Sequence, residues 1–274
     1  MIEIIRRDAS AVGAKVVIFD FDGTLSLVRS GWMEIMVPLC VEQLLPLQSG
    51  ESESKLIEVV EDFVWRLTGK ETIYQMMALA EAIRERGGRP LSPLEYKKMY
   101  LSRLWNLIEG RIEGLRHGTV PPDTYLVPGA RDLLEFLIAR GLRLYLASGT
   151  DDANVKEEAA LLDVARYFEG RIFGAQDDLA SFSKALLVQH ILSRARFRAE
   201  ELLVFGDGYV EIEEVKKIGG VAVGVATAEP ACLAIDPWKR QRLTKVGADF
   251  IIPNYLEREE LLSTLFDTPV LLPR

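Results

Sequence analysis

The sequence predicts an α/β protein: a Rossmann-like parallel sheet core with helices on both faces, carrying an inserted α-helical bundle. Three observations predict it. A short apolar run, Val16–Phe19, ends in Asp20-Phe21-Asp22-Gly23. From about position 31 to 115, apolar residues recur only at helical spacing. From Val127 onward, strand-like runs alternate with helix-like segments of roughly 10–15 residues, the pattern of right-handed βαβ units.

Each element has its own signal. Val16–Phe19 is continuously apolar and bounded by polar and Gly residues, as a strand buried on both faces would be. Trp32–Leu45 reads as a helix bent at Pro38. Leu56, Val59, Val60, Phe63, Val64 and Leu67 lie at i, i+3, i+4, i+7, i+8 and i+11, one apolar stripe along a helix. Ile73, Met76, Met77, Ala80 and Ile83 form a third helix, and Leu101 to Leu115 a fourth. Loops at 49–54 and 87–90 connect them, and the Met and aromatic residues of the stripes read as the bundle core.

The second texture begins with a helix over 130–140 and the strand Leu142–Ala147. A weaker strand over 171–175 follows, then Leu202–Phe205, Val221–Val225 and 249–252. Val16–Phe19 has no strand partner before the bundle, so it must join this later sheet. The expected organisation is therefore a core of residues 1–25 and 127–274 with the bundle, 26–126, inserted. Leu25–Ser30 and the prolines Pro121, Pro122 and Pro128 mark the two crossings.

Composition narrows the class. The 274 residues are 49% hydrophobic and 27% charged, too apolar for disorder. A net charge of -8 argues against a general nucleic-acid binder, while leaving room for a local basic pocket. Two distant cysteines, Cys40 and Cys232, read as free thiols and not as a disulfide scaffold. No run of about 18 apolar residues predicts a membrane span. Glu3, Arg6, Arg7 and Asp8 interrupt any signal-like start, so a cytoplasmic protein is expected. Oligomeric state is not legible.

Several strand ends carry chemistry. Asp20 and Asp22 stand where open α/β sheets bind ligands, and two clustered carboxylates there call for a divalent cation. The plainer alternative is an Asp-Gly turn closing a strand. Ala147 runs into Ser148-Gly149-Thr150-Asp151-Asp152, either a phosphate cradle at a helix N-terminus or an ordinary cap. Phe205 runs into Gly206-Asp207-Gly208-Tyr209-Val210-Glu211, and Lys184 opens an amphipathic segment between these. Alone, Lys184 reads as a solvated residue.

Together these residues resemble, in order and placement, the four motifs of the haloacid dehalogenase superfamily. Asp20-Phe21-Asp22-Gly23-Thr24-Leu25 is similar to the first motif, Ser148-Gly149-Thr150 to the second, Lys184 to the third, and Gly206-Asp207 with Glu211 to the fourth. The resemblance covers 1–25 and 127–266. The bundle sits where members with a C1 cap carry theirs, which points to the phosphoglycolate-phosphatase and β-phosphoglucomutase-like subgroup.

The resemblance implies Asp20 as nucleophile and Asp22 as acid and base. It implies Mg2+ held by Asp20, the Asp22 carbonyl and Asp207, and Lys184, Ser148 and the backbone near Gly149 and Thr150 on the phosphoryl oxygens. Glu211 stands where Asp is commoner; ligating the metal and orienting Lys184 or a metal-bound water both stay open. An acid/base Asp at position 22 belongs to the phosphotransfer branch, not to the dehalogenases. The implied function is Mg2+-dependent hydrolysis of a small phosphorylated metabolite, a sugar phosphate or phospho-organic acid. A phosphosugar mutase or a non-enzymatic phospho-ligand sensor would use the same scaffold.

Within the bundle, Trp65-Arg66-Leu67-Thr68-Gly69-Lys70-Glu71-Thr72 breaks a helix and carries two cations. It resembles the substrate-specificity loop of C1 caps, with Arg66 and Lys70 as binding residues, and equally reads as a charged helix–helix turn. Arg111, Arg116 and His117 form a further basic group of unreadable direction. The stretch Ala228–Gly247, with Trp238, Lys239, Arg240 and Arg242, reads as an exposed surface helix or, alternatively, a lid fragment.

Overall fold

The computed structural model describes residues 2–176, Leu186, Gln189 and residues 198–267. Among these residues seven strands, β1 Glu3–Ile4, β2 Val16–Phe19, β3 Arg143–Asp151, β4 Ile172–Ala175, β5 Leu202–Gly206, β6 Val221–Val225 and β7 Phe250–Ile252, form one sheet. Their order is β1-β7-β6-β5-β2-β3-β4, and every pairing is parallel except β1 with β7. β1 was not foreseen because two residues are too few for a periodic signal. It closes one edge by pairing Glu3 with Ile251 and Ile4 with Phe250.

β2 lies at the centre because its four residues, 0% exposed, need apolar cover on both faces. Val17 and Phe19 face one core with Leu203 and Phe205; Val16 and Ile18 face the other with Leu202 and Val204. Helices α5 Ala130–Ala139, α6 Asp152–Leu161 and α9 Arg258–Phe266 contribute to the first core, and α7 Tyr209–Lys217 and α8 Pro237–Lys245 to the second. Phe19 and Phe205 stack across β2 and β5 with ring centroids 4.9 Å apart.

Between β2 and β3 the chain forms α1 Met33–Leu44, α2 Glu53–Leu67, α3 Thr72–Glu85 and α4 Pro93–Arg116. The first apolar core continues from the sheet into this bundle. The stripe of α2 is buried at Leu56, Val60, Phe63 and Val64, and Ser52 caps its start by accepting from the Lys55 N–H. Two details of the sequence reading change. Met77 lies exposed, and the inner face of α3 is carried instead by Met76, Leu79, Ala80 and Ile83. α4 begins at Pro93, well before Leu101. Its start was legible in Ser92-Pro93-Leu94-Glu95, a capping box with Pro at the first helical position.

Cys40 and Cys232 are both buried free thiols. Among the described residues no helix is long and apolar enough to cross a membrane.

Candidate active site

The sheet register assembles the site. β2 pairs with β5 so that Phe19 stands beside Phe205, and with β3 so that Phe19 stands beside Leu146. The residues that follow these three positions therefore emerge at one level of the sheet, at its carboxyl edge. The chain order also switches direction between β2 and β5, where crevices form in doubly wound sheets. Asp20 is still tied into the sheet, its N–H donating to the Phe205 carbonyl at 2.9 Å.

Asp20, Asp207 and Glu211 each bring a carboxylate oxygen within 4.8 Å of the others. Three hard oxygen donors at this spacing suit Mg2+ or a similar divalent cation. Glu211 belongs to this set despite its extra methylene. It curls back from α7, accepting the Gly208 N–H at 3.0 Å, over a bare Gly206 whose Cβ would sit 2.3 Å from its Oε1. Asp207 is fixed through its N–H, which donates to Thr24 Oγ1 at 2.9 Å.

The sequence reading missed Lys239. Its ammonium, 13% exposed, lies 2.9 Å from Asp207 and 2.8 Å from Glu229, and also donates to Thr227 Oγ1. Burial works against its charge, but Asp207 and Glu229 outweigh that and hold it above the ordinary lysine range.

Asp22 turns to the other side. Its Oδ2 accepts from Thr150 Oγ1 at 2.7 Å and, more weakly, from Ser148 Oγ at 3.4 Å. Ser148 Oγ itself accepts the Thr150 N–H at 3.0 Å. This geometry exists because β3 runs on through Ser148-Gly149-Thr150 to Asp151, beyond Ala147, where the predicted strand ended. Asp22 Oδ1 is buried without a hydrogen-bond partner, 3.9 Å from Arg29 Nε. Arg29, buried on the segment leaving the core, is itself clamped to Glu158 of α6 at 2.6 Å.

A cavity of about 100 Å³ joins the two groups, lined by Asp20, Asp22, Gly149, Thr150 and Asp207 from the core and Lys70 from the bundle. Thr68, Gly69, Trp32 and Tyr100 also line it. Lys70 lies 5.2 Å over the Tyr74 ring. Arg66 departs from expectation: its side chain is exposed and does not line the cavity. Lys184 lies outside the described residues. Of the other basic residues, Arg111 donates to the Val28 and Ser30 carbonyls and Arg116 pairs with Glu157, so both brace the crossing instead of the cavity.

A haloacid dehalogenase-like hydrolase profile matches residues 14–219, three quarters of the chain. The chain belongs to the haloacid dehalogenase-like hydrolase family. It is 29% identical over 92 residues to a phosphorylated carbohydrates phosphatase of Thermotoga maritima and 30% identical over 97 residues to a 5'-nucleotidase of Pseudomonas aeruginosa. These stretches span 34% and 35% of this chain, and 42% and 43% of those proteins. A predicted phosphoglycolate phosphatase of Haemophilus somnus shares the fold, with a TM-score of 0.56 at 15% identity over 91% of this chain and 98% of that one.

Within this haloacid dehalogenase-like hydrolase, the stretch 228–247 carries α8, a surface helix with one face turned to the site. Lys239 of α8 turns to Asp207, and Arg242, three residues on, reaches the end of α2. The cluster of aromatic and basic residues was the available signal; only the packing shows which way it faces. Lys97 was also missed: it is buried on α4 and pairs with Asp151 at 2.6 Å, tying the bundle to the end of β3.

Proposed function

We propose that this hydrolase is a Mg2+-dependent phosphatase that cleaves a small phosphorylated metabolite, a sugar phosphate or phospho-organic acid, through an aspartyl-phosphate. The observation that carries this reading is the division of labour between the two first-motif carboxylates. Asp20 stands with Asp207 and Glu211 in a set fit for a cation, while Asp22 is turned away toward Thr150, its other oxygen 3.9 Å from Arg29 Nε and without a hydrogen bond. A buried acceptor without a donor is costly, and a proton shared with a substrate oxygen would relieve it.

Bound among Asp20, Asp207 and Glu211, Mg2+ would screen the phosphate from the carboxylates. Asp20 would attack phosphorus with one carboxylate oxygen as the P–O bond to the leaving group breaks. Asp22 would give its proton from Oδ1 to the departing alkoxide, Thr150 holding Oδ2 fixed throughout. Asp22 would then take a proton from the water that attacks the phosphoenzyme, restoring the Asp20 carboxylate and the protonated Asp22 and releasing phosphate. Lys184, Ser148 and the amides near Gly149 are assigned to the phosphoryl oxygens. The bundle, residues 26–126, would act as a cap that excludes water and selects the leaving group through the 68–70 loop.

Purified protein should hydrolyse p-nitrophenyl phosphate with Mg2+, lose this with a chelator, and lose it in Asp20→Asn. Robust turnover by the Asn variant would defeat the mechanism. Phosphate release over a panel of phosphorylated metabolites identifies the substrate class. Isomerised sugar phosphate in place of stoichiometric free phosphate would indicate a mutase. No turnover by the wild type on any of them would indicate a sensor.

A further inference from the structure

We propose that Arg242 is a positioning residue that fixes the substrate loop of the bundle from the core side. The inference deepens the phosphatase reading, since it assigns what holds the leaving-group loop in place.

The end of an α-helix leaves carbonyls without partners. At the end of α2 they are met from another part of the molecule. The Arg242 guanidinium donates to the carbonyls of Trp65, of Arg66 at 2.8 Å and of Thr68 at 2.7 Å. A cation at a helix C-terminus is favoured by the helix dipole, and a planar fork can serve several acceptors where an ammonium cannot. Thr68 adds one bond of its own, Oγ1 donating to the Val64 carbonyl at 2.9 Å.

Arg242 is itself held on the core. Its guanidinium carbon lies 4.5 Å from the Tyr209 ring centroid and 5.1 Å from that of Trp238. Trp238 in turn packs on Trp65 of α2 with centroids 4.0 Å apart. The contact is therefore anchored on α7 and α8 and reaches across to the bundle.

What it holds is the loop over the carboxylates. Gly69 has φ +94° and lies so close to the strand-end loop that a Cβ there would sit 2.8 Å from Gly208 Cα. Lys70 follows, its carbonyl close against Gly149, where a Cβ would come within 3.1 Å. On the same helix, Lys239 pairs with Asp207. One helix thus touches both the acidic set and the loop that closes over it. A contact serving only to add stability would not need to end on the three carbonyls that lead into the cavity-lining residues.

The test compares wild type, R242K and R242M as full-length protein, with p-nitrophenyl phosphate and the best metabolite of the phosphate-release panel. The ratio of kcat/KM for the metabolite to kcat/KM for p-nitrophenyl phosphate should fall on the order of 10- to 100-fold in R242M, because small misplacements of positioning groups carry effects of that size. R242K should recover part of it. An unchanged ratio, with both substrates losing equally, would overturn the proposal. A readout independent of activity is the Trp65–Trp238 pair, whose coupled near-ultraviolet dichroism should weaken in R242M at temperatures where the fold is intact. A wild type that hydrolyses nothing, with the dichroism still weakened in R242M, would sink the phosphatase reading alone; an active wild type whose variants keep the full Trp signal would sink this one alone. Should R242M fail to fold, R242K carries the same comparison at smaller amplitude.

Discussion

Thr150 Oγ1 donates to Asp22 Oδ2 at 2.7 Å, while the other oxygen of Asp22 is buried without a hydrogen bond. The two oxygens of one carboxylate are thereby made inequivalent, and in the proposed mechanism it is the second that exchanges a proton with the substrate. Thr150→Val keeps the shape and removes the donor. It should lower kcat about tenfold, the equivalent of about 1.4 kcal/mol, with Thr150→Ser close to wild type. Steady-state kinetics would check this; a valine variant at full kcat would show that the hydroxyl does not hold Asp22.

Lys239 neutralises part of the acidic set before any cation arrives, pairing with Asp207 at 2.9 Å and Glu229 at 2.8 Å. Removing a buried partner leaves two carboxylates uncompensated, which destabilises by about 3 kcal/mol. Lys239→Met should therefore melt lower without metal and gain more in Tm from added Mg2+ than the wild type does, as the cation replaces the missing charge. Equal Mg2+ gains in thermal scans of the two proteins would contradict the electrostatic account.

Lys70 lines the cavity and Arg66 does not. Lys70→Met should raise KM for the preferred metabolite roughly tenfold, whereas Arg66→Met should stay within about twofold. Equal effects from the two substitutions would mean that Arg66 enters the site.

Glu51 secures the loop before α2. It accepts from Arg86 Nε at 2.6 Å, from Arg86 Nη2 at 2.8 Å and from Ser49 Oγ at 2.7 Å. The Arg86 hydrogen bonds, helped by Ser49, hold its carboxyl down at about 2. A carboxyl lower in the folded state than its unfolded value of about 4.3 stabilises above that value. The contribution is lost as pH falls from about 4.5 toward 2. Glu51→Gln should thus melt below the wild type at pH 7, and the gap should close over that acidic window. A gap independent of pH would place the effect elsewhere.

Much of the site was legible because parallel sheets turn local sequence into shared position. Asp20, Ser148 and Asp207 each come one or two residues after the aligned apolar positions Phe19, Leu146 and Phe205, so recognising the apolar runs already brings them to one edge. The helical stripes of α2 and α4 were equally readable, since a repeat near 3.6 has one physical interpretation. Met77 was misread because one stripe cannot tell a core-facing methionine from an exposed neighbour one position away; the packing of α3 against α2 and α4 decided that.

Lys239, Arg242, Lys97 and Arg29 were invisible as site residues for a different reason. Each acts by contact with a partner at least 30 positions away in sequence or on another element, and a charged side chain on a helix carries no mark of the direction it faces. The strand segments from β2 onward, motif identity and the two first-motif carboxylates belonged to the sequence alone, because strand ends and short spacings are local. The tertiary structure decided which way Asp22 turns, that Glu211 reaches the acidic set, and that α8 joins core to bundle. Those outcomes depend on which surfaces meet, and long-range burial and charge pairing select the meeting only once the whole chain has folded.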